Sequence, residues 1–291
     1  MRTAWLLEKD VFLDQDVEAR MASALVERQA DFYWAQEDIH GTKSLSWIPG
    51  AKYVKESIPN PDRPLLVYGS INMARRIHWK SSFYSPRVWM DLPALSCRSY
   101  YTNLCHHMLV RDTVFTTWGL LKYNAERFFE CYGVDSEFGS TIFVKPDQNL
   151  KIFSGRVVSE ERFDAWYRME TDCYSVPPEE LVVVSRPIPI EKEWRFFSFD
   201  GKVVTGSVYR ENGKEAYAPA DDDIALSAAQ RVASNENCPE PAVVIDIVRS
   251  NGVYGLLELG SPNCCCLYRG DAGKFIDAAS ALAEKEFDDL E

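Results

Sequence analysis

Between Asp16 and Gln29, apolar residues recur at Val17, Met21, Ala24 and Leu25. That is the spacing of one face of an amphipathic helix. Ahead of it, Trp5–Phe12 begins apolar and turns polar, which reads as a first strand. After it, Pro64–Ser70 is a short apolar strand running into a turn, and Asn72–His78 reads as a helix start. Gly41–Pro49 is a loop by its Gly, Ser and Pro content. This alternation predicts a small α/β unit in the first third of the chain. Asp112–Tyr132 reads as one or two helices stopped at Gly133.

From Ser140 the pattern changes. Thr141–Pro146 is a strand closed by proline, and Gln148–Phe153 leads into a Ser154-Gly155 turn. Ser159 followed by Glu160 and Glu161 is a capping signal for a helix over Glu160–Met169. Glu180–Ser185 is a buried strand. Glu193–Phe199 and Lys202–Tyr209 flank an Asp-Gly turn, a strong hairpin signal. Ala242–Val248 and Tyr254–Leu259 flank Asn251-Gly252 in the same way. Asp223–Asn235 and Gly270–Phe287 are helices. The second part is therefore α+β, and a boundary falls near residue 135.

A length of 291 residues fits about two domains. Hydrophobic residues make up 46% and charged residues 26%, as in ordinary globular chains. No apolar run approaches the ~20 residues of a membrane-spanning helix, and the charged start leads to the expectation that it is not a signal peptide. The net charge of −12 is opposite to that of a typical nucleic-acid binder, so a nucleic-acid partner is not expected.

Eight cysteines contain no CxxC pair, and the four histidines form no HxxxH pair. A zinc site has no support. Free thiols fit a reducing, cytoplasmic location. GxxxxGK[ST], GxGxxG and GxSxG are all absent, which removes the P-loop, the dinucleotide fingerprint and the nucleophile elbow.

Three features carry chemistry. Lys145 stands at a strand end with Lys151 six residues on. Each is either an ordinary exposed lysine or a mobile cation for phosphate oxygens. Glu193 and Arg195 share a strand face, with Ser207, Tyr209 and Arg210 returning on the partner strand. They form either a cross-strand ion pair or part of a site. Asp246 and Glu258 are embedded in apolar strands of the second hairpin, with Asn263 beyond. Buried carboxylates need a partner or a cation, and hard oxygen donors suit Mg²⁺ shared with nucleotide phosphates.

In this order, these residues resemble the ATP-grasp superfamily. The resemblance is clearest over about 140–270, and Trp5–Phe12 resembles the start of its phage and bacterial R2K-type clade. It implies an α+β fold: an ATP-grasp domain over 136–291 behind an N-terminal α/β (pre-ATP-grasp-like) domain over 1–135. The ATP-grasp part would divide into a lid-like subdomain (about 136–190) and a C-terminal subdomain (about 191–291). By the same resemblance, Lys145 and Lys151 would hold ATP phosphates. Val184, Ser185 and Arg186 would form the adenine hinge, and Glu193 would hold the ribose. Arg195 and Arg210 would be catalytic, at phosphate or acyl phosphate. Asp246, Glu258 and Asn263 would ligate Mg²⁺.

The chain departs from the family at one place. Glu-x-Asn is usual, but Gly260 stands two residues after Glu258, and Cys264–Cys266 replace small residues.

The implied activity is that of an ATP- and Mg²⁺-dependent carboxylate–amine ligase, with ADP as product. Its substrates would be small-molecule or peptide carboxylates and amines, entering between the two parts. The alternatives are a nucleotide-binding or interaction module of the same fold that has lost ligation, and a kinase that stops at phosphorylation. Cys264–Cys266 read as packing residues, and the aromatic stretch Trp79–Tyr101 as core and interdomain packing.

Overall fold

A computed structural model describes residues 2–12, 14, 16–37, 45–47, 63–74, 89–137, 139–148 and 152–289. Lys151, much of the Asn72–His78 helix, most of the 41–49 loop and residues 79–88 of the aromatic stretch lie outside the described residues.

The N-terminal unit is β1 (Ala4–Glu8), α1 (Asp16–Glu27), β2 (Phe32–Glu37), β3 (Leu45–Trp47) and β4 (Leu65–Tyr68). Its sheet runs β3-β2-β1-β4, with β1 parallel to both β2 and β4. Both β1 and β4 are buried throughout, as parallel strands covered on two faces must be. The strand order reverses beside β1, so a topological switch point lies between β1 and β4.

The middle unit begins with α2 (Cys97–Tyr101), β5 (Thr113–Thr117), α3 (Trp118–Tyr123) and α4 (Ala125–Tyr132). It continues with β6 (Val134–Ser136), β7 (Gly139–Pro146), β8 (Arg156–Ser159), a 3₁₀ turn at Glu160–Arg162, α5 (Phe163–Tyr174) and β9 (Leu181–Ser185). Its sheet is β5-β9-β7-β6, with β8 also on β7. Thr113–Thr117 is strand rather than helix: its β-branched and aromatic residues favour strand, and it pairs antiparallel with β9. The sheet bearing Lys145 thus recruits chain from ahead of residue 135. Trp118, Phe153, Phe163 and Trp166 fill a core separate from the rest.

The C-terminal unit contains β10 (Lys192–Phe199), β11 (Lys202–Glu211), β12 (Lys214–Pro219), α6 (Asp223–Ala233), β13 (Ala242–Ser250), β14 (Val253–Gly260) and α7 (Ala272–Asp288). The sheet runs β12-β11-β10-β13-β14 and is antiparallel. The turns Asp200-Gly201 and Asn251-Gly252 have positive φ at both residues, as two-residue hairpins demand. A third such turn, Asn212-Gly213, closes a β11–β12 hairpin that hydrophobic patterning misses, because Lys214–Pro219 is mostly exposed.

One face of this sheet, with Trp194, Phe196, Ile245 and Ile247, packs on α6. The other face, with Phe197, Phe199 and Val244, packs on α7 and on Trp5 and Tyr68 of the N-terminal unit.

Candidate functional site

The charged residues gather on that second face. Residues directly opposite in adjacent strands point the same way. Glu258 stands opposite Asp246, Asp246 opposite Arg195, and Arg195 opposite Ser207. A polar row therefore crosses β14, β13, β10 and β11. The Asp246 carboxylate is gripped bidentately by Arg195, Nε–Oδ1 at 2.9 Å and Nη2–Oδ2 at 2.8 Å. Arg195 also lies over the rings of Tyr209 and Tyr268, at 5.0 and 5.5 Å from their centroids.

Glu193, two residues before Arg195 on the same strand, is 5% exposed. The Tyr209 hydroxyl donates to its Oε2 at 2.6 Å, and Arg210 Nη1 stands 3.5 Å from its Oε1. Burial pushes the Glu193 carboxyl up despite the Tyr209 bond, and burial likewise raises Tyr209.

Lys145 reaches this row from the other sheet. Its Nζ donates to Glu258 Oε2 at 3.4 Å. Burial works against the ammonium, yet the Cys97 thiol and Glu258 outweigh it and hold the Lys145 pKa above its ordinary value. The wedge between the sheets is α2 and the chain after it. Cys97 N donates to Asp147 O, Leu259 N donates to the Tyr100 hydroxyl, and Leu109 N donates to Leu256 O. Gly255 permits that approach: a Cβ there would lie 2.8 Å from the Leu109 backbone.

The remaining sequence-derived residues are placed as follows. Val184 and Ser185 are buried in β9 between β5 and β7, so their backbone groups belong to the ladder. Arg186 is the first residue beyond it, and its side chain is exposed, with Nη2 donating to Cys131 O and Nε 3.6 Å from Asp112. Arg210 is half exposed.

Asn263 is buried, and its amide nitrogen is taken up: Nδ2 donates to Val67 O of β4 at 2.7 Å, while Ser261 Oγ stands 3.5 Å from its Oδ1. Gly69 N donates to its backbone oxygen. It serves here as a strut between the N-terminal sheet and the chain leaving β14. Asn263→Ala would leave a buried carbonyl without its donor and cost about 1–3 kcal/mol. The expected result is a fall in Tm of several degrees, with the Mg²⁺ dependence of nucleotide binding unchanged. Loss of that dependence would instead make Asn263 a metal ligand.

The departure at Gly260 has a physical explanation. A Cβ on Gly260 would stand 3.1 Å from Cys265 Sγ. The thiol occupies the space in which a side chain at this position would begin. Glycine here and cysteine at 265 are thus one packing solution.

For a cation, the donors fit a shared site only. Among the described residues, no three His, Cys, Asp or Glu side chains gather to hold a metal. Asp246 already has its counter-charge. Glu258, 22% exposed at its side chain, offers oxygen beside Lys145. One or two carboxylates completed by phosphate oxygens is the arrangement that suits Mg²⁺.

Residues 125–278 match the ATP-grasp domain of R2K clade family 2, 154 of the 291 residues. The chain belongs to this family. Solved ATP-grasp structures share the fold along nearly the full length. D-cycloserine synthetase DcsG is similar with a TM-score of 0.61 at 17% identity, covering 96% of this chain and 99% of its own. A RimK domain ATP-grasp protein from Sphaerobacter thermophilus gives 0.60 at 16%, covering 95% and 98%. The D-alanine–D-alanine ligase of Bacillus anthracis, complexed with ATP, gives 0.56 at 11%, covering both chains in full. No curated protein matches by sequence. Among the described residues of this ATP-grasp chain, no helix is long and apolar enough to cross a membrane.

Tyr209 is the site residue that the sequence reading left without a role. The signal was its place in Ser207-Val208-Tyr209-Arg210, but only the fold reveals that its hydroxyl lies between Glu193 and Asp246.

Proposed function

We propose that the protein is an ATP-dependent carboxylate–amine ligase. The observation that carries this reading is the meeting of Lys145, from the middle sheet, with the Glu258–Asp246–Arg195 row of the C-terminal sheet. A cation from one sheet and a polar row from the other are what polyphosphate binding between two sheets requires. Lys145 would neutralise phosphate oxygens. Arg195, held in place by Asp246, would face charge developing on the transferred phosphoryl group. Backbone groups from Arg186 onward would read adenine, and Glu193, fixed by Tyr209, would take the ribose. Mg²⁺ bound at Glu258 together with phosphate would supply further charge neutralisation.

In the reaction, an oxygen of a substrate carboxylate attacks the γ-phosphorus. The bond to the β-phosphate oxygen breaks and ADP leaves. A neutral amine then attacks the acyl carbon, phosphate leaves, and the amine proton passes to solvent or phosphate. The product is an amide. No protein nucleophile is needed, so the work of the chain is positioning and charge neutralisation.

Calorimetry with ATP, with and without Mg²⁺, tests the binding step. Wild type should bind in an Mg²⁺-dependent manner, and Glu258→Ala should remove that dependence. Absence of binding in wild type sinks the ligase reading. A second reading, a nucleotide-binding module without ligation, is favoured by Gly260 at the position where the family pattern has asparagine. It predicts ATP binding with no ADP release for any carboxylate and amine pair.

A further inference from the structure

α2 and the chain after it are bonded to both sheets, close to the two groups that meet between them. On the middle sheet the anchor is Asp147, two residues beyond Lys145. Its backbone N donates to Leu181 O at 2.9 Å, and its O accepts from Cys97 N at 3.0 Å. Its Oδ1 accepts from Arg98 N at 2.8 Å, and Arg98 Nε stands 3.5 Å from Oδ2. The Asp147 side chain is fully buried. The start of α2 is therefore fixed to the strand end that carries Lys145.

On the C-terminal sheet the contact is with β14, the edge strand. An edge strand leaves backbone groups on its outer side without a strand partner. Leu256 N donates to His107 O at 2.7 Å, and Leu109 N donates to Leu256 O at 3.0 Å. Further along β14 the partner is a side chain: Leu259 N donates to the Tyr100 hydroxyl at 3.3 Å. Between these two ties stands Glu258. Asp246 faces Glu258 while Ile247 faces Leu256, so Leu257 is the extra residue of a β-bulge. A bulge interrupts the ladder and re-aims the side chains beside it. The ladder alone thus fixes Glu258 poorly on one side, and the Tyr100 bond clamps the chain on the other.

Tyr100 is 2% exposed. Its hydroxyl also stands 3.4 Å from Cys97 Sγ, and the Cys97 thiol lies beside the Lys145 ammonium. One buried hydroxyl therefore sits between the strand of Glu258 and the neighbour of Lys145. Phenylalanine would fill the same core space without the cost of burying a hydroxyl.

From the bulge beside Glu258, the bond from Leu259 to a buried hydroxyl and the anchoring of α2 on Asp147, we infer that Tyr100 is a positioning residue that holds the Glu258 carboxylate against Lys145 for a cation shared with phosphate. The inference rests on the ligase reading and names a residue on which its cation depends. Tyr100 acts through the β14 backbone, not by touching nucleotide or cation.

The test is calorimetry of ATP binding over a Mg²⁺ titration, with a thermal melt, on wild type, Tyr100→Phe and Tyr101→Phe. Tyr101 is the control: its hydroxyl bonds Val110 O and Thr113 Oγ1, within the same segment. In Tyr100→Phe the half-saturating Mg²⁺ concentration should rise about tenfold, the scale on which metal affinity falls when a group supporting a ligand is lost. Saturating Mg²⁺ should restore the wild-type Kd for ATP. Tyr101→Phe should lower Tm and leave the Mg²⁺ dependence unchanged. In wild type, the Leu259 amide should stay protected from hydrogen exchange with Mg²⁺ and ATP bound. An unchanged Mg²⁺ requirement in Tyr100→Phe, an equal rise in Tyr101→Phe, a loss of ATP affinity that saturating Mg²⁺ does not restore, or rapid exchange at Leu259 would overturn the assignment. Failure of wild type to bind ATP would instead overturn the ligase reading on which it stands.

Discussion

Asp246→Ala is expected to lower Tm by on the order of 10 °C and, on the ligase reading, to abolish ADP release. The substitution removes the carboxylate but leaves the Arg195 guanidinium, 11% exposed at its side chain, with its two charge-assisted hydrogen bonds gone. Deleting one partner of a buried ion pair costs about 3–5 kcal/mol. A chain of this size loses roughly 2–4 °C per kcal/mol. Removing both charges has a different outcome. In the double variant Arg195→Met with Asp246→Leu, no charge is stranded, and the apolar pair can pack beside Val244 and Val248, so most of the lost stability returns. ADP release does not. A thermal melt on the two single variants and the double variant gives the coupling energy, and an ADP assay on the same proteins separates structure from chemistry. A double variant as unstable as Asp246→Ala would mean that the pair also positions neighbours by some route other than charge.

The same pair explains what could be read from residue order and what could not. Asp246 and Glu258 were conspicuous because each interrupts an apolar strand, and burial of a carboxylate always demands a partner. Sequence alone leaves open whether that partner is a cation from solution or a side chain. Register decides it: β10 lies beside β13 with Arg195 opposite Asp246, and a slip of one residue would have turned the guanidinium to the α6 face. Lys145 could be placed at a strand end by Pro146, but its meeting with Glu258 depends on packing between two sheets 113 residues apart in sequence.

The paired hairpins were legible because Asp-Gly and Asn-Gly turns have few alternatives. The Thr113–Thr117 strand was not, because five residues with apolar side chains only at Val114 and Phe115, running straight into a helix, carry no periodicity of their own. Asn263 shows what residue order leaves out. The family resemblance implies a ligand there, and the fold adds that Cys265 packs against Gly260 and that the Asn263 amide nitrogen bonds Val67 of the N-terminal sheet.

Lys145→Met should weaken ATP binding about ten- to a hundredfold and lower Tm modestly. A charge-assisted hydrogen bond is worth about 1.5–3 kcal/mol, and each 1.4 kcal/mol is a factor of ten in affinity. Some stability is lost with the ammonium, because surroundings that raise the Lys145 pKa favour the ammonium in the folded state, while methionine fills a similar volume and limits the loss. The pH dependence provides an independent check. With its folded pKa above the ordinary lysine value, the contribution of Lys145 to stability is fully present below the unfolded pKa of about 10.4 and is lost only as pH rises through the folded value. Between roughly pH 6 and 9 it therefore stays charged in both states, and wild-type affinity should show no titration from this residue. Calorimetric Kd values across that range, for wild type and for Lys145→Met, should run parallel and separated by a constant factor. A gap that closes toward pH 9 would mean that the ammonium is deprotonating, and that the Cys97 and Glu258 surroundings do not hold its proton. A constant gap places a permanent cation at the point where the two sheets meet, and an ATP phosphate chain drawn between those sheets needs one there before any substrate carboxylate can approach.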